Sequence, residues 1–315
     1  MNRRICQALT LSVAAALLSA CGGSQAGSNP LANSGMANGR MTHVGSWIRP
    51  NTSSQNLAYM ADGSEVDIYS FNGKQVGALK GFEGVQGLCS DSQGNVWVTY
   101  GESLLEYAHA GTIPIAQVYT PSAPYGCAVD PVTGDLAVTE NGGQQGSNVA
   151  VFQDFYGTPE ICTDPDFYDY YYCSYDDQGN LFVNGVRGSK YPLAELPSGS
   201  GSLQTITLDK KIEKLGGLQW DGEYLALGDS VAHVVYQLSV ASGQATTQTT
   251  THFKGWVGRF KFIEPFAIYN GVIVLTFSKR QTGFYEFPAG GGSIHRIPNV
   301  TGAKTISVAP TSRRR

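Results

Sequence analysis

Polar side chains recur where the chain turns between β-type segments. If those segments alternate in direction, the turns after each second strand and the connections between repeats share one end of the fold. Side chains there could line a ligand pocket, although the same residues on loops also suit a solvated surface. The residues assigned to this candidate ligand face are Tyr125, Glu140, Asn184, Arg187, Asp229 and Lys279.

The sequence contains no recognisable catalytic or metal-binding motif. It has no Gly-x-Ser-x-Gly elbow, no His-Glu-x-x-His pair and no phosphate loop. Its histidines occupy non-equivalent positions in the repeat described below, so symmetry does not bring them together. We therefore predict no metal and no cofactor, and the sequence favours a non-enzymatic role.

The cysteines could form a disulfide if the chain is exported to an oxidising compartment, as the N-terminal pattern described below predicts. Four cysteines follow Cys21, namely Cys89, Cys127, Cys162 and Cys173. We predict a Cys162–Cys173 disulfide, which would stabilise the fold by roughly 2–3 kcal/mol through closure of a short loop. A Cys127–Cys173 pair and buried free thiols are the alternatives.

The segment between Cys162 and Cys173 is unusually aromatic and acidic. It contains Tyr168 and a run of three tyrosines from Tyr170 to Tyr172. Aromatic faces beside carboxylates could stack on a sugar or contact a protein partner. Packing between repeats with a solvated loop is the simpler interpretation, because single exposed aromatics are common.

The N-terminus predicts export and lipidation. Arg3 and Arg4 precede an uncharged stretch that ends in Leu18-Ser19-Ala20-Cys21, a pattern typical of a signal peptide. The final four residues resemble the lipobox of bacterial lipoproteins, which implies lipid on Cys21 and a signal peptide over 1–20. Residues 21–43, rich in Gly, Ser and Asn, predict a flexible tether. The same resemblance implies the outer membrane, because Gly22 stands where lipoproteins retained in the inner membrane have an aspartate.

Charge argues against nucleic acid as a partner. Removal of Arg3 and Arg4 with the signal peptide changes the formal net charge from −4 to −6. Affinity for nucleic acid depends on neutralising phosphates, and the basic cluster is confined to Arg313–Arg315. We interpret 311–315 as a disordered tail, and we expect a lipid-anchored monomer in the cell envelope.

A repeat organises the remaining chain. Turn glycines at 94, 134, 179, 222 and 271 are 40, 45, 43 and 49 residues apart, a period typical of β-propellers. Each turn lies between short apolar strands, and two further strands follow it. The sequence therefore predicts an all-β domain over 44–310.

The ends of the chain predict how the ring closes. Leu57–Asp62, Glu65–Phe71 and Lys74–Lys80 lack an innermost strand before them, whereas Thr305–Ala309 is an innermost-type strand with nothing after it. We predict that they share one blade, which would remove open sheet edges. This gives a six-bladed propeller, and seven blades is the alternative if Phe253–Pro265 forms a further unit.

The turn motifs carry a family resemblance. Pro124-Tyr125-Gly126-Cys127-Ala128-Val129-Asp130, the Asp-x-x-Gly-Asn turns and Asn148-Val149-Ala150-Val151-Phe152 resemble NHL-repeat and SMP-30/gluconolactonase-like propellers. The second family implies a divalent ion at the axis held by Glu, Asn and Asp, a set that cannot be placed in this sequence. The resemblance identifies a fold and leaves the activity open.

Together these features predict an envelope-anchored propeller lipoprotein. We expect a non-enzymatic module that binds a protein or carbohydrate ligand or acts as a scaffold. The alternative is a metal-dependent lactonase or hydrolase of the gluconolactonase type.

Overall fold

The protein is built almost entirely from β-strands. The computed structural model describes residues 7–8, 45–142, 146–155, 157–254, 265–278, 281–298 and 305–309. Two short 3₁₀ turns lie at Thr52–Ser54 and Gln153–Phe155. Within these ranges no helix has the length and apolar character needed to cross a membrane. Cys21, the predicted tether and the tail at 311–315 lie outside the described residues, as does most of the predicted signal peptide.

The strands, in chain order, are β1 (Gln7–Ala8), β2 (Trp47–Ile48), β3 (Leu57–Ala61), β4 (Glu65–Ser70), β5 (Gln75–Lys80), β6 (Leu88–Ser90), β7 (Val96–Tyr100), β8 (Ser103–Tyr107), β9 (Pro114–Tyr119), β10 (Pro124–Val129), β11 (Leu136–Glu140), β12 (Asn148–Phe152), β13 (Glu160–Cys162), β14 (Asp169–Tyr175), β15 (Leu181–Val186), β16 (Leu193–Leu196), β17 (Gln204–Leu208), β18 (Leu215–Trp220), β19 (Leu225–Asp229), β20 (Val234–Ala241), β21 (Gln244–His252), β22 (Phe266–Tyr269), β23 (Val272–Ser278), β24 (Gln281–Glu286), β25 (Ser293–Pro298) and β26 (Thr305–Ala309).

These strands form a propeller-like arrangement of antiparallel sheets. Four sheets have the size of a single blade, with strand orders β2-β5-β4-β3-β26, β6-β7-β8-β9, β1-β13-β12-β11-β10 and β22-β23-β24-β25. The fifth sheet has eight strands in the order β14-β15-β16-β17-β21-β20-β19-β18. Its two end strands, β14 and β18, contact each other, so this sheet is nearly closed.

The predicted count of six blades, and the alternative of seven, is wrong. Four separate blades accompany one eight-stranded sheet. The sequence period marks each run of four strands, but β17 and β21 pair in parallel through Thr207–Leu208 and Gln244–Ala245. Two such runs therefore share one sheet, and this contact between outer edges leaves no trace in the repeat. Most of the segment behind the alternative of seven lies outside the described residues.

The strand that ends the described chain closes the arrangement. β26 is antiparallel to β3, with Ala309 opposite Leu57 and Thr305 opposite Ala61. Ser90 of the neighbouring sheet donates its hydroxyl to the Val308 carbonyl at 2.5 Å. The pairing predicted from the two ends of the chain is thus present, and β3 has no open inner edge.

Side chains of the turns explain why the strands reverse where they do. The Asp91 carboxylate accepts hydrogen bonds from the backbone N–H groups of Gln93 and Asn95, each at 2.8 Å. Gly94 supplies a positive φ of 86°, a conformation that glycine adopts without steric cost. Asp176 repeats the arrangement with Gln178 and Asn180. The predicted Asp-x-x-Gly-Asn turns are therefore confirmed, and they leave the opposite end of each sheet for longer connections.

Neighbouring sheets bury their apolar faces against each other. Tyr59 and Ile68 of one blade pack with Val96 and Tyr107 of the next. Since alternate residues of a strand point to opposite faces, each innermost strand supplies side chains to two interfaces.

The alternation of side chains determines which cysteines can form a disulfide. Cys89 and Cys127 are joined by a disulfide and lie in one apolar cluster between their two sheets. Cys173 is a buried free thiol, so neither the predicted Cys162–Cys173 bridge nor the Cys127–Cys173 alternative is formed. Cys173 packs on the other side of β10, beside Ala128, because equivalent positions in adjacent sheets point the same way round the ring. Burial also raises the pKa of the Cys173 thiol to about 12.

Candidate functional site

Three innermost strands carry β-bulges at the same end of the arrangement. The pairing register shifts between Pro124 and Gly126 in β10, between Tyr170 and Cys173 in β14, and between Leu215 and Leu218 in β18. A bulge inserts an unpaired residue and re-aims side chains, and bulges are common beside functional sites. Tyr125 lies in the first bulge, and Tyr171 and Tyr172 lie in the second.

These residues form what we call the tyrosine cluster, namely Tyr125, Tyr171 and Tyr172. The Tyr125 ring lies edge-on to Tyr171, with 4.7 Å between ring centroids, and edge-on to Tyr172 at 5.9 Å. All three side chains are half-buried, so each combines a fixed ring with solvent access. The cluster can therefore offer flat apolar surface and phenol groups to a ligand.

The tyrosine cluster adjoins a cavity on the axis. The cavity has a volume of about 140 Å³ and is enclosed by the end strands β6, β10, β14, β18, β22 and β26. Tyr172, Gln86 and Gln219 contribute to its wall. A cavity of this size holds several waters or one small group, because sites for whole drug-sized ligands are about 300–1,000 Å³. A ligand bound to the tyrosine cluster could therefore place only one small group in the axial cavity.

Side chains tie the innermost strands together around this cavity. Thr139 accepts the Gly126 N–H at 2.8 Å and donates to the Tyr171 carbonyl of the next sheet at 2.8 Å. Asn184 accepts the Tyr172 N–H and donates to the Gly216 carbonyl, each at 3.1 Å. Two of the bulges are thus held by a side chain that also bridges to the neighbouring strand.

The predicted ligand face contains residues with internal structural roles. Asn184 is buried and committed to the bridge just described. Asp229 is also buried, and its carboxylate accepts four backbone N–H groups, from Glu213, Lys214, Val231 and Ala232. Both have their partners within the fold, so neither is available to a ligand.

Arg187 and Lys279 are the two basic residues of the predicted ligand face. Arg187 pairs with Asp166 at 2.6 Å, and its guanidinium lies 5.8 Å from the centroid of the exposed Tyr168 ring. Asp166 and Tyr168 belong to the acidic segment between Cys162 and Cys173, and Arg187 follows β15. Lys279 lies outside the described residues.

Glu140 differs from the other predicted face residues. Its side chain is fully buried at the end of β11, and neither carboxyl oxygen has a hydrogen-bond partner. The Asn148 side chain and the Ser122 backbone approach the carboxyl, but without the geometry of a full hydrogen bond. Burial therefore outweighs these contacts and raises the pKa of Glu140 to about 7.

The described residues hold no group of three or more His, Cys, Asp or Glu side chains placed to bind a metal ion. Glu140 and Asn148 lie opposite each other within one sheet.

Sequence reasoning selected Tyr125 but left the other two tyrosines and Asn148 out of the site. Tyr171 and Tyr172 were named only as part of an unusual connector. Their position in the repeat could have identified them, because they precede Cys173 as Tyr125 precedes Cys127. That equivalence places all three at the same end of adjacent strands.

Comparisons with known proteins show the fold. No family model matches the chain, and no curated protein sequence matches it. Among solved structures, a chain from a nidogen/laminin complex aligns with a TM-score of 0.67 and 13% identity, over 82% of this chain and 100% of that one. Virginiamycin B lyase from Staphylococcus aureus aligns with a TM-score of 0.53 and 16% identity, over 80% and 87% of the two chains. A streptogramin B lyase aligns with a TM-score of 0.50 and 15% identity, over 78% and 74%.

These structural neighbours are β-propeller proteins, which agrees with the propeller-like arrangement of the sheets. At such low identity the likeness concerns the fold and not the chemistry.

Proposed function

We propose that this protein is an envelope-anchored propeller whose tyrosine cluster binds a carbohydrate or protein ligand without catalysis. The observation that carries the proposal is the position of three half-buried tyrosines at bulges beside the axial cavity. Tyrosine gives large contact area at low conformational cost, which suits it to recognition. The rings already pack on one another, so little ordering would oppose binding.

The ligand class follows from the surroundings of the rings. Burial and, to a smaller extent, the charge of Asp169 raise the pKa of Tyr171, so the cluster has an acidic neighbour. A sugar ring could stack on a tyrosine and donate its hydroxyls to a carboxylate, and a peptide could do so with a side chain. No observation among the described residues favours the alternative of a metal-dependent lactonase.

Substitution in the tyrosine cluster tests this proposal. The wild-type protein should bind members of an oligosaccharide array or a peptide array. Tyr125→Ala and Tyr171→Ala should each lower the affinity about tenfold or more, as for loss of a contact worth about 1.4 kcal/mol. Biolayer interferometry on the array hits would measure the change.

Tyr119→Ala is the matched control, because Tyr119 is an exposed tyrosine on the outer strand β9. It should leave the affinity unchanged. The proposal fails if the wild type binds nothing on either array, or if all three variants bind equally well.

The anchor is a second part of the proposal and rests on the sequence around Cys21. In Cys21→Ser the thiol that would accept the lipid is absent, while the apolar stretch before it is unchanged. The variant should be exported and should fractionate as soluble protein, since acyl chains contribute about 0.8 kcal/mol per buried methylene. The wild type should remain with membranes after a high-salt wash. Equal membrane retention of both proteins would contradict the lipid anchor.

The kinship to NHL-repeat and gluconolactonase-like propellers is likewise a proposal. It is supported by the capped Asp-x-x-Gly-Asn turns at Asp91 and Asp176. Monomeric state and location at the outer membrane are proposed on the sequence alone.

A further inference from the structure

The outer strand β9 leaves one edge of its sheet open. Within the part of the chain that the structure describes, β9 pairs with β8, and no strand pairs with its other edge. Thr120 donates its backbone N–H to the Glu102 carbonyl at 2.9 Å, on the β8 side. Because backbone groups alternate in direction along a strand, those of Gln117 and Tyr119 point away from β8. The open edge therefore offers two N–H groups and two carbonyl groups for pairing.

The side chains along this edge are exposed and largely apolar. The exposed fractions of Ile113, Ile115 and Tyr119 are 76%, 56% and 69%, and Gln117 between them is exposed as well. No Asp, Glu, Lys, Arg or His occurs over residues 110–129. Charged side chains usually protect a sheet edge from pairing with another chain, and β9 carries none.

Other outer strands of this fold accept a further strand. β2 pairs with β5, and Trp47 lies opposite Ala78. Ala78 and Gln117 are equivalent, because each is the second paired residue after a register shift in its strand. β17 and β21 likewise join two runs of four strands at their outer edges. By contrast, β25 carries the exposed side chains of His295 and Arg296. The outer edge at Gln117 is thus a position where this fold can add a strand.

A second copy of the chain has the matching edge. Two β9 strands related by a two-fold axis at Val118 would run antiparallel and place Gln117 of each copy opposite Tyr119 of the other. Their open backbone groups would form four hydrogen bonds. The Tyr119 ring of one copy would lie diagonally beside Ile115 of the other, a separation that aromatic side chains can span.

The uncharged character of the edge favours a second copy as its partner. In a two-fold contact the same surface of both copies meets, so a charged side chain near the axis would face a like charge. The chain has a formal net charge of −4, yet residues 110–129 contain no charged side chain. Pairing of this edge with itself therefore brings no like charges together.

The contact is short, which limits its strength and its extent. Pro114 and Pro121 lack a backbone N–H, and the register shift at Ile115 interrupts the regular strand. The paired stretch is therefore smaller than interfaces of standard size, which bury about 1,200–2,000 Å². Such a protein is monomeric in dilute solution, in line with the monomer proposed from the sequence, and pairs when it is concentrated. Each copy contributes one β9, so the assembly ends at two copies.

We propose that β9 is a self-association surface, through which two copies of this chain join their four-stranded β6-β7-β8-β9 sheets into one sheet across a weak dimer. The inference goes beyond the proposed function. The contact uses no residue of the tyrosine cluster, so ligand binding and self-association can each fail without the other.

Opposite charges at Gln117 test the proposal by sedimentation velocity. All proteins carry Cys21→Ser, which removes any association through a lipid. The sedimentation coefficient of the protein with native Gln117 should rise between about 10 µM and about 500 µM, as for a weak dimer. Gln117→Lys and Gln117→Glu each place like charges across the axis and should raise the dimer Kd about tenfold or more. An equimolar mixture of the two variants should restore the dimer, because the charges then attract.

Gln248→Lys and Gln248→Glu are the matched controls, because Gln248 is an exposed glutamine on the outer strand β21. They should associate as the protein with native Gln117 does, alone and mixed. The proposal is overturned if that protein stays monomeric over the whole range, or if the Gln117 variants associate equally well alone and mixed. Binding of a monomeric protein to phosphatidylcholine vesicles that is lost in Tyr119→Lys would also overturn it, since a lipid surface would then cover β9.

Discussion

A chain truncated after Thr301 should fail to accumulate as folded protein. The truncation removes β26, whose five residues pair with β3 from Ala309 opposite Leu57 to Thr305 opposite Ala61. Net backbone hydrogen bonds contribute about 0.5–1.5 kcal/mol each, and burial of one Val side chain such as Val308 about 1.5–3 kcal/mol. The summed loss is about 5 kcal/mol or more, comparable with the total stability of many domains. Circular dichroism and soluble yield would measure the outcome.

Removal of Arg313–Arg315 alone is the matched control, because it leaves β26 in the chain. That protein should fold with an unchanged melting temperature. Equal stability of the two truncated chains would show that β26 does not close the arrangement. Exposure of the inner edge of β3 also predicts aggregation of the longer truncation.

The sequence was sufficient for the local parts of this fold. The turn at Asp91 could be predicted because its contacts lie within five consecutive residues. The Asp91 carboxylate caps the turn, and Gly94 supplies the positive φ. The closing strand could be predicted because an innermost strand was missing at one end and present at the other. The eight-stranded sheet could not, because the parallel contact of β17 with β21 joins two outer edges that have no repeated pattern.

The disulfide shows why equivalence in a repeat can mislead. Cys127 and Cys173 occupy the same position in successive repeats, and that sameness directs both side chains to the same side of their strands. A bond between neighbouring sheets requires positions offset by one residue, as in Cys89 and Cys127. Spacing along the chain favoured Cys162 and Cys173, but orientation of the side chains decided the result.

The site was predictable in location but not in role. Residue type placed Tyr125, Glu140, Asn184 and Asp229 at one end of the sheets. Whether each side chain faces a ligand or bonds to the backbone depends on its three-dimensional contacts. The spacing of residues along the sequence does not specify those contacts. Asp229 organises a turn through four N–H groups, whereas Glu140 has no such partner.

The unpaired state of Glu140 has a consequence for the stability of the whole protein. The pKa of its carboxyl rises from 4.5 to about 7 on folding because of burial, so the folded state binds the proton more tightly than the unfolded state. The stabilisation is fully present below about pH 4.5 and is lost as the pH rises to about 7, after which it no longer changes. At 1.36 kcal/mol for each unit of pKa, the loss amounts to about 3 kcal/mol.

Glu140→Gln should remove this component of the pH dependence. Urea unfolding at about pH 4 and about pH 8 should show that the wild type loses about 3 kcal/mol more of its free energy of unfolding than the variant does. The difference between proteins is the informative quantity, because burial also raises the pKa of Asp67, to about 6, and that carboxyl is present in both. Parallel pH profiles for the two proteins would mean that Glu140 is ionised in the folded state. In that case a bound cation or water, and not a proton, must satisfy the oxygens of Glu140 and Asn148.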